Sequence, residues 1–193
     1  MLNKKDFKEM RKEFNSFDDN RELVIKKSRD ILKLSKQIIY SVHRDELVEA
    51  FKLVKKIEVE KKKAETLVGK NSKLESVGAY RVSIQEYVEA ILYYNFIKNK
   101  KIVTHKYLKV TSGHYLMGLI DLPGELGRKA VQLAGKGDFK KVVGIRDAVS
   151  EIYGALLKFD FRDNEMRKSF DRVKYDLKKL EDLVLELKLK GKI

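Results

Sequence analysis

The chain has 193 residues, of which 43% are hydrophobic, so it is long enough to bury the core of one domain. It contains no cysteine, which excludes disulfides, thiolate metal sites and a cysteine nucleophile and fits a reducing compartment such as the cytoplasm. Its net charge of +14 predicts a polyanionic partner. Nucleic acid is favoured over a membrane, because no apolar run approaches the ~20 residues that a membrane span needs. The charged start of the chain does not resemble a signal peptide.

Helices are predicted along the whole chain, because it contains one proline, 11 glycines and long stretches of Leu, Lys, Glu, Ala and Arg. Residues 1–18 are expected to form an amphipathic arm, whose apolar residues recur at helical spacing: Phe7, Met10, Phe14 and Phe17. The polar residues 18–20 are expected to cap a long helix. A second helix follows it and ends at Gly69.

A third helix is predicted from about residue 73 to residue 98, and its middle, residues 82–97, is apolar on nearly every side. A helix with this pattern is buried. It nevertheless carries Glu86 and Glu89, and an ionised carboxylate is expensive to bury unless a cation, a metal or a set of donors compensates it. The sequence therefore demands a compensating group near these two acids.

Four more helices complete a predicted single-domain bundle of about seven helices over residues 19–193. Three of them are expected to be capped by Thr104, Ser112 and Asp138, and the last is expected to start near Asp163. The last helix has an apolar seam with alternating spacings of four and three, made up of Met166, Phe170, Val173, Leu177, Leu180, Val184 and Leu187. Such a seam packs against another helix along its length, either inside the bundle or across a subunit interface.

A second acidic pair lies in residues 115–126, where Asp121 and Glu125 share one face of the fifth helix. Pro123 is expected to kink the helix between these two acids. Glycine is unfavourable inside a helix by about 1 kcal/mol relative to alanine. Three glycines here therefore indicate a close approach by another helix or a ligand, and they are Gly118, Gly124 and Gly127.

Four stretches of the chain together resemble the family of translin and the translin-associated factor, TRAX. They are QEYVEA at residues 85–90, YLMGLIDLPGEL at residues 115–126, the GKGD turn at residues 135–138, and MRKSFDRVKYDLKKLEDLVLELKLKG at residues 166–191. The resemblance covers about residues 20–190 and is closer to the TRAX branch, in an archaeal or other prokaryotic form. It implies an all-α fold whose subunits assemble into a closed shell, a homo-octamer, with single-stranded or short duplex RNA inside.

The resemblance also implies a site. Translin subunits bind RNA and lack the acidic cluster, whereas TRAX subunits carry it and act as metal-dependent endoribonucleases. By motif match, Glu86, Glu89 and Asp121 fall on the catalytic acids, Glu125 falls on the acid one turn further, and Pro123 stands where a threonine is usual. All four acids are assigned to catalysis and to Mg²⁺ or Mn²⁺, with Glu125 as a ligand or as a base that orients water.

The chemistry of the four acids agrees with this assignment, because crowded carboxylates repel one another and a divalent cation with oxygen ligands neutralises them. Ordinary ion pairs are the alternative: Glu125 with Arg128 or Lys129, and Glu86 with Arg81 or a lysine of the second helix. A non-catalytic RNA-binding scaffold, as translin is, is the alternative function. A second alternative is a structural helical bundle whose charge contributes only to stability.

Basic residues predict where RNA binds. The stretch KKIEVEKKK on the second helix is expected to contact phosphates through Lys55, Lys56, Lys61, Lys62 and Lys63. Arg81, five positions before Glu86, is expected to hold the scissile phosphate near the metal. For any single lysine, a solvated helix face is the alternative. His43 and His105 are expected at the surface, and His114 is expected to be a partly exposed residue without a ligand role.

Overall fold

The computed structural model describes residues 2–193, and within them the chain forms seven α-helices, one 3₁₀ helix and no β-strand. The α-helices are α1 (Lys4–His43), α2 (Leu47–Val68), α3 (Gly78–Asn99), α4 (His105–Leu108), α5 (Ser112–Gly135), α6 (Phe139–Leu156) and α7 (Asn164–Leu189), and the 3₁₀ helix is Ser72–Ser76. The predicted all-α bundle of about seven helices is confirmed. None of the helices in this described part of the chain is long and apolar enough to cross a membrane.

α1 is one continuous helix of 40 residues, so the prediction that a helix starts at residues 18–20 is wrong. Inside the helix, the Asn20 side chain donates to the Ser16 carbonyl one turn back, and no glycine or proline interrupts the helix. The first turns of α1 are exposed, including Phe7, Met10 and Phe14. Over its described residues, the predicted arm is therefore an exposed extension of α1.

Most predicted caps are confirmed, because an N-cap is a local signal. The Thr104 and Asp138 side chains each accept a hydrogen bond from a backbone N–H in the first turn of the helix that follows. The last helix starts where it was predicted, and the Asp163 side chain caps it in the same way. Two boundaries differ from the prediction. Thr111, rather than Ser112, caps α5, and α3 begins at Gly78 because the 3₁₀ helix occupies the residues before it. Pro123 lies inside α5 without ending it.

α3 occupies the centre of the bundle. α1 packs against α2 and α3, α3 packs against α5, and α5 packs against α6 and α7. As predicted from its apolar surface, α3 is buried on nearly every side, and its fully buried side chains include Ile84, Val88, Leu92 and Tyr93. Any polar side chain on the inner faces of α3 is consequently held away from bulk water.

The apolar seam of α7 packs inside the protomer. Its buried members face α5 and α6, and they are Val173, Leu177, Leu180, Val184 and Leu187. Of the two roles that the sequence left open for this seam, the structure shows packing within the bundle.

The end of α1 is held by a buried lysine from α5. Lys129 is 2% exposed, and its ammonium donates to the carbonyl oxygens of Val42 and His43, both at 3.1 Å, and to Asp45 Oδ1 at 2.6 Å. The last carbonyls of a helix lack partners within the helix, and a lysine satisfies them. This contact joins α5 to the end of α1 and places His43 beside the acids of α5.

Candidate active site

Glu89 of α3 is the most deeply buried acid of the chain, with 9% of its surface exposed. Burial, and after it repulsion from Asp121, Glu86 and Glu125, raises the pKa of Glu89 to about 9. Within residues 2–193, the Glu89 carboxylate has no hydrogen-bond or ion-pair partner. The group that we expected to compensate the charge of Glu89 is therefore not a side chain of residues 2–193.

Glu86 and Asp121 share this environment. Burial is the main cause that raises the pKa of Glu86; the Lys36 ammonium lowers it, while Asp121 and Glu125 raise it. Burial also raises the pKa of Asp121, against the opposing effects of its hydrogen bond from Gln85 and the charge of Arg172. These mutual effects show that the structure brings together all four acids predicted from the sequence, two from α3 and two from α5.

A glycine permits the close approach of α5 to α3. A Cβ atom on Gly118 would lie 2.7 Å from Val88 Cβ and 2.8 Å from the Gln85 carbonyl oxygen, so only glycine fits without a shift of the helices. Asp121 follows one turn after this contact. No other helix comes close to Gly127, which has no neighbour within 4 Å of an added Cβ, or to Gly124, which has only an atom of Asp176 at 4.0 Å.

Asp121 is oriented by two hydrogen-bond donors that were not predicted from the sequence. Gln85 Nε2 donates to Asp121 Oδ2, and Arg172 Nη2 of α7 lies 3.5 Å from Asp121 Oδ1. Arg172 also donates to Ser169 of its own helix. Gln85 belongs to the QEYVEA motif and could have been suspected, whereas Arg172 carries no sequence signal because only the packing of α7 on α5 brings it here.

Glu125 is held by His43, which corrects the expectation that His43 lies at the surface. The His43 side chain is 2% exposed, and its Nε2 is hydrogen-bonded to Glu125 Oε2. Because a carboxylate accepts, Nε2 donates, and Nδ1 is left to accept from the Tyr93 hydroxyl at 3.0 Å. The sequence hint of this burial is the apolar Val42 directly before His43.

Only some of the ordinary ion pairs that the sequence allowed for Glu86 and Glu125 are formed. Arg128 Nη1 lies 3.9 Å from Glu125 Oε2, but Lys129 binds the end of α1 instead. Glu86 has no ion pair within the described residues, and the cation that acts on it is Lys36 of α1 rather than Arg81 or a lysine of α2. Ordinary pairing therefore accounts for Glu125 and leaves Glu86 and Glu89 uncompensated.

The acids suit a divalent cation by their chemistry but do not form a closed set of ligands. Among the residues that the structure describes, no three His, Asp or Glu side chains are gathered as ready-made metal ligands. Mg²⁺, however, keeps several waters and is commonly held by only one or two carboxylates. The pKa values of Glu86, Glu89 and Asp121 are all raised by burial, and a bound divalent cation would favour the ionised form of each carboxylate.

The lysines of α2 that were predicted to contact RNA differ in how free they are to bind a phosphate. Lys61 is 5% exposed, and its ammonium binds Glu65 and the Lys109 carbonyl. The prediction that Lys61 contacts phosphates is therefore wrong. Lys55 lies 3.6 Å from Glu58 in an exposed pair, and the exposed Lys63 lies 2.7 Å from the partly buried Glu60. The members of the predicted set that are exposed and have no ion pair among residues 2–193 are Lys56, Lys62 and Arg81.

Arg81 lines a groove of about 380 Å³. The groove lies between the first turns of α3, α5 and α7, and Gln85, which binds Asp121, forms part of its wall. His114 also lines it and is hydrogen-bonded to Thr111 Oγ1 at 3.0 Å, in keeping with the partly exposed position predicted for it.

Comparisons with known proteins agree with this architecture. Residues 19–191 match the sequence model of the translin family. The chain is 32% identical to translin from Gallus gallus over 77 residues, which cover 40% of this chain and about a third (34%) of that protein. It is 26% identical to translin-associated protein X from Rattus norvegicus over 235 aligned positions, which cover 96% of this chain and 78% of that protein.

Solved structures share the whole fold. Apo-NeC3PO superposes with a TM-score of 0.87 at 26% identity, covering 96% of this chain and 97% of that one. AfC3PO in complex with duplex RNA superposes with a TM-score of 0.77 at 28% identity, covering 95% and 97% of the two chains. The similarity therefore includes nearly every element described above.

Proposed function

The chain belongs to the translin family, and on that basis we propose that it is a divalent-metal-dependent endoribonuclease that binds RNA and hydrolyses its phosphodiester bonds inside a homo-oligomeric helical shell. The observation that carries the proposal is the gathering of four carboxylates around Glu89, whose pKa is raised to about 9. An acid kept for stability would have a cation or donors beside it, and Glu89 has none within residues 2–193. Perturbed acids of this kind mark functional sites.

Each acid has a proposed role. Glu86, Glu89 and Asp121 would hold Mg²⁺ or Mn²⁺, and the ion would supply charge neutralisation at the phosphodiester and activation of a water. Gln85 and Arg172 fix the orientation of the Asp121 carboxylate through one contact to each of its oxygens.

Glu125 is proposed as the base that orients the attacking water and accepts its proton. One oxygen of its carboxylate is held by His43, so the direction of the other is set by a buried side chain. His43 is itself held by Tyr93 and, through its own carbonyl, by Lys129. A base needs this kind of support because a misplaced carboxylate cannot reach the proton that it removes.

The phosphodiester would be bound by exposed cations of α2 and α3. Arg81 in the groove and the exposed lysines Lys55, Lys56, Lys62 and Lys63 are the proposed contacts. The duplex RNA in the AfC3PO complex supports RNA as the ligand class. Because phosphate contacts carry no base information, binding should be salt-dependent and nearly independent of sequence.

Labelled RNA cleavage tests this function. Single-stranded and duplex RNA are incubated with the protein in Mg²⁺, in Mn²⁺ and in a chelator, alongside the variant Glu89→Gln and the control Glu181→Gln, an exposed acid of α7. We expect cleavage that requires the metal, is lost in Glu89→Gln and is kept in Glu181→Gln. Cleavage that persists in the chelator would contradict the proposed mechanism.

A non-catalytic RNA-binding scaffold is the second candidate. It is favoured by the absence, among residues 2–193, of three acids already arranged as ligands. It predicts RNA binding without cleavage under any of the three metal conditions.

The proposed shell is a homo-octamer. Light scattering should then report eight times the protomer mass of 22.5 kDa. Because the α7 seam is used inside the protomer, the subunit contacts must involve other surfaces.

A further inference from the structure

One face of α1 is strongly basic and was not singled out by the sequence. Arg29, Lys33 and Lys36 follow one another at spacings of four and three, and Tyr40 continues the same stripe one turn later. All four side chains are exposed, and together with Leu32 and Gln37 they line a shallow groove on the surface of the helix. From Arg29 to Tyr40 the stripe extends about 16 Å along the helix axis.

The three cations of this stripe have no acidic partner within residues 2–193. The nearby acids of α1 are engaged elsewhere: Asp30 pairs with Lys27 at 3.3 Å, and Glu22 pairs with Arg21 at 3.3 Å. Glu60 of α2 also pairs with Lys27, at 2.8 Å. The cations of the basic stripe therefore form no ion pair among the described residues, whereas Lys55 and Lys63 of α2 are partly neutralised.

The basic stripe ends at the proposed active site. α1 packs against α3, the helix that carries Glu86 and Glu89. Seven residues after Lys36, on the same side of α1, His43 binds Glu125. A cluster of carboxylates repels a phosphate chain, so cations beside it are needed to bring the chain in, and α1 supplies them at the edge of the cluster.

Tyr40 adds a surface for a base. Its side chain is 58% exposed, and the Arg44 guanidinium lies 5.7 Å from the centre of its ring. An exposed aromatic ring among basic residues is the combination that binds single strands, because every unpaired base offers a face for stacking.

We propose that the face of α1 formed by Arg29, Lys33, Lys36 and Tyr40 binds a single strand of RNA and leads it to the carboxylates of α3 and α5. The inference rests on the proposed function and adds the path that the substrate takes. The three cations bind phosphates, and Tyr40 stacks on an unpaired base, so the stripe selects single-stranded RNA without reading its sequence.

Fluorescence anisotropy with labelled single-stranded RNA, in EDTA so that no cleavage interferes, tests this path. The triple variant Arg29→Gln, Lys33→Gln, Lys36→Gln is compared with a control that loses the same charge from the exposed start of the same helix, Lys5→Gln, Lys8→Gln, Lys12→Gln. Loss of three phosphate contacts should weaken binding about a hundredfold at 0.1 M salt and reduce the slope of log K against log salt by about 2. The control should retain the wild-type affinity and slope to within about twofold.

Tyr40→Ala separates stacking from charge. We expect about tenfold weaker binding of single-stranded RNA, an unchanged salt slope, and no loss of affinity for duplex RNA, whose bases are already stacked. Melting temperatures of all variants should match the wild type, because every substituted side chain is exposed.

The outcomes distinguish this inference from the proposed function. If the wild type binds and cleaves RNA while the α1 triple variant binds as tightly, or if the control loses as much affinity, the path on α1 is wrong and the nuclease proposal stands. If the triple variant instead lowers the assembly mass in light scattering, the face is a subunit contact and the inference is overturned. If the wild type binds no RNA in EDTA or in Mn²⁺, the proposed function itself fails.

Discussion

Replacing Glu89 by Gln is the change that tests the site most directly, because it keeps the shape of the side chain and removes its ionisation. The folded state raises the pKa of Glu89 to about 9 from an ordinary value of 4.5. Between these two pH values the folded protein holds a proton that the unfolded chain releases, so this group makes the protein less stable as the pH rises from 4.5 to 9. At pH 7 the penalty is about 3 kcal/mol.

Glu89→Gln removes this penalty, so the metal-free variant should be more stable than the wild type at pH 7 by up to about 3 kcal/mol, or roughly 6–12 °C in melting temperature for a chain of this size. The gain should vanish at pH 4, where Glu89 is protonated in both states of the wild type. Thermal melts in EDTA at the two pH values measure it, with Glu181→Gln as the control that should show no pH-dependent gain.

The Glu89→Gln substitution should weaken metal binding, although it stabilises the metal-free protein. Mn²⁺ stabilises the wild type by mass action, by about 2.7 kcal/mol at a concentration of 100 Kd. Because binding expels the proton from Glu89, the affinity should rise with pH by up to about tenfold per unit below the folded pKa. In Glu89→Gln the Mn²⁺-induced shift and the cleavage rate should fall together. Full cleavage with an intact Mn²⁺ shift would remove Glu89 from the site and refute the reasoning.

Four further changes test the surroundings of the site. His43→Ala should lower cleavage about 10–100-fold, with partial rescue by His43→Asn, since residues that orient reacting groups have effects of this size; cleavage rates at saturating RNA measure it. Gly118→Ala should cost about 1–3 kcal/mol in chemical denaturation and slow cleavage, because its Cβ would lie 2.7 Å from α3 atoms, whereas Gly127→Ala should be neutral or slightly stabilising. Leu180→Glu should destabilise the protomer by about 3–5 kcal/mol in urea, because the side chain is 2% exposed inside the bundle. Lys61→Ala should lower the melting temperature without changing the salt slope of RNA binding, which an anisotropy titration will show.

The sequence by itself determined the helical fold, most of the caps and the identity of the four acids. These are local properties: an N-cap such as Asp138 or Asp163 bonds to its own first turn, and an all-round apolar pattern predicts a buried helix wherever its neighbours lie. The two acidic pairs could be assigned to helix faces from spacing alone. Their likeness to a family motif then suggested that the pairs meet.

Only the tertiary structure decided which polar side chains face one another. His43, Lys61 and Lys129 each lie on a helix with polar neighbours, so their patterns resemble a solvated face, yet each is buried because another helix covers it. The opposite holds for the basic stripe of α1, whose cations stay exposed and unpaired among the described residues because no acidic helix packs on them. Periodicity shows that a helix has two faces, but the burial of a charge depends on what packs against it from distant parts of the chain. That packing, made possible at Gly118 and at the end of α1, is what turns two separate acidic pairs into one site.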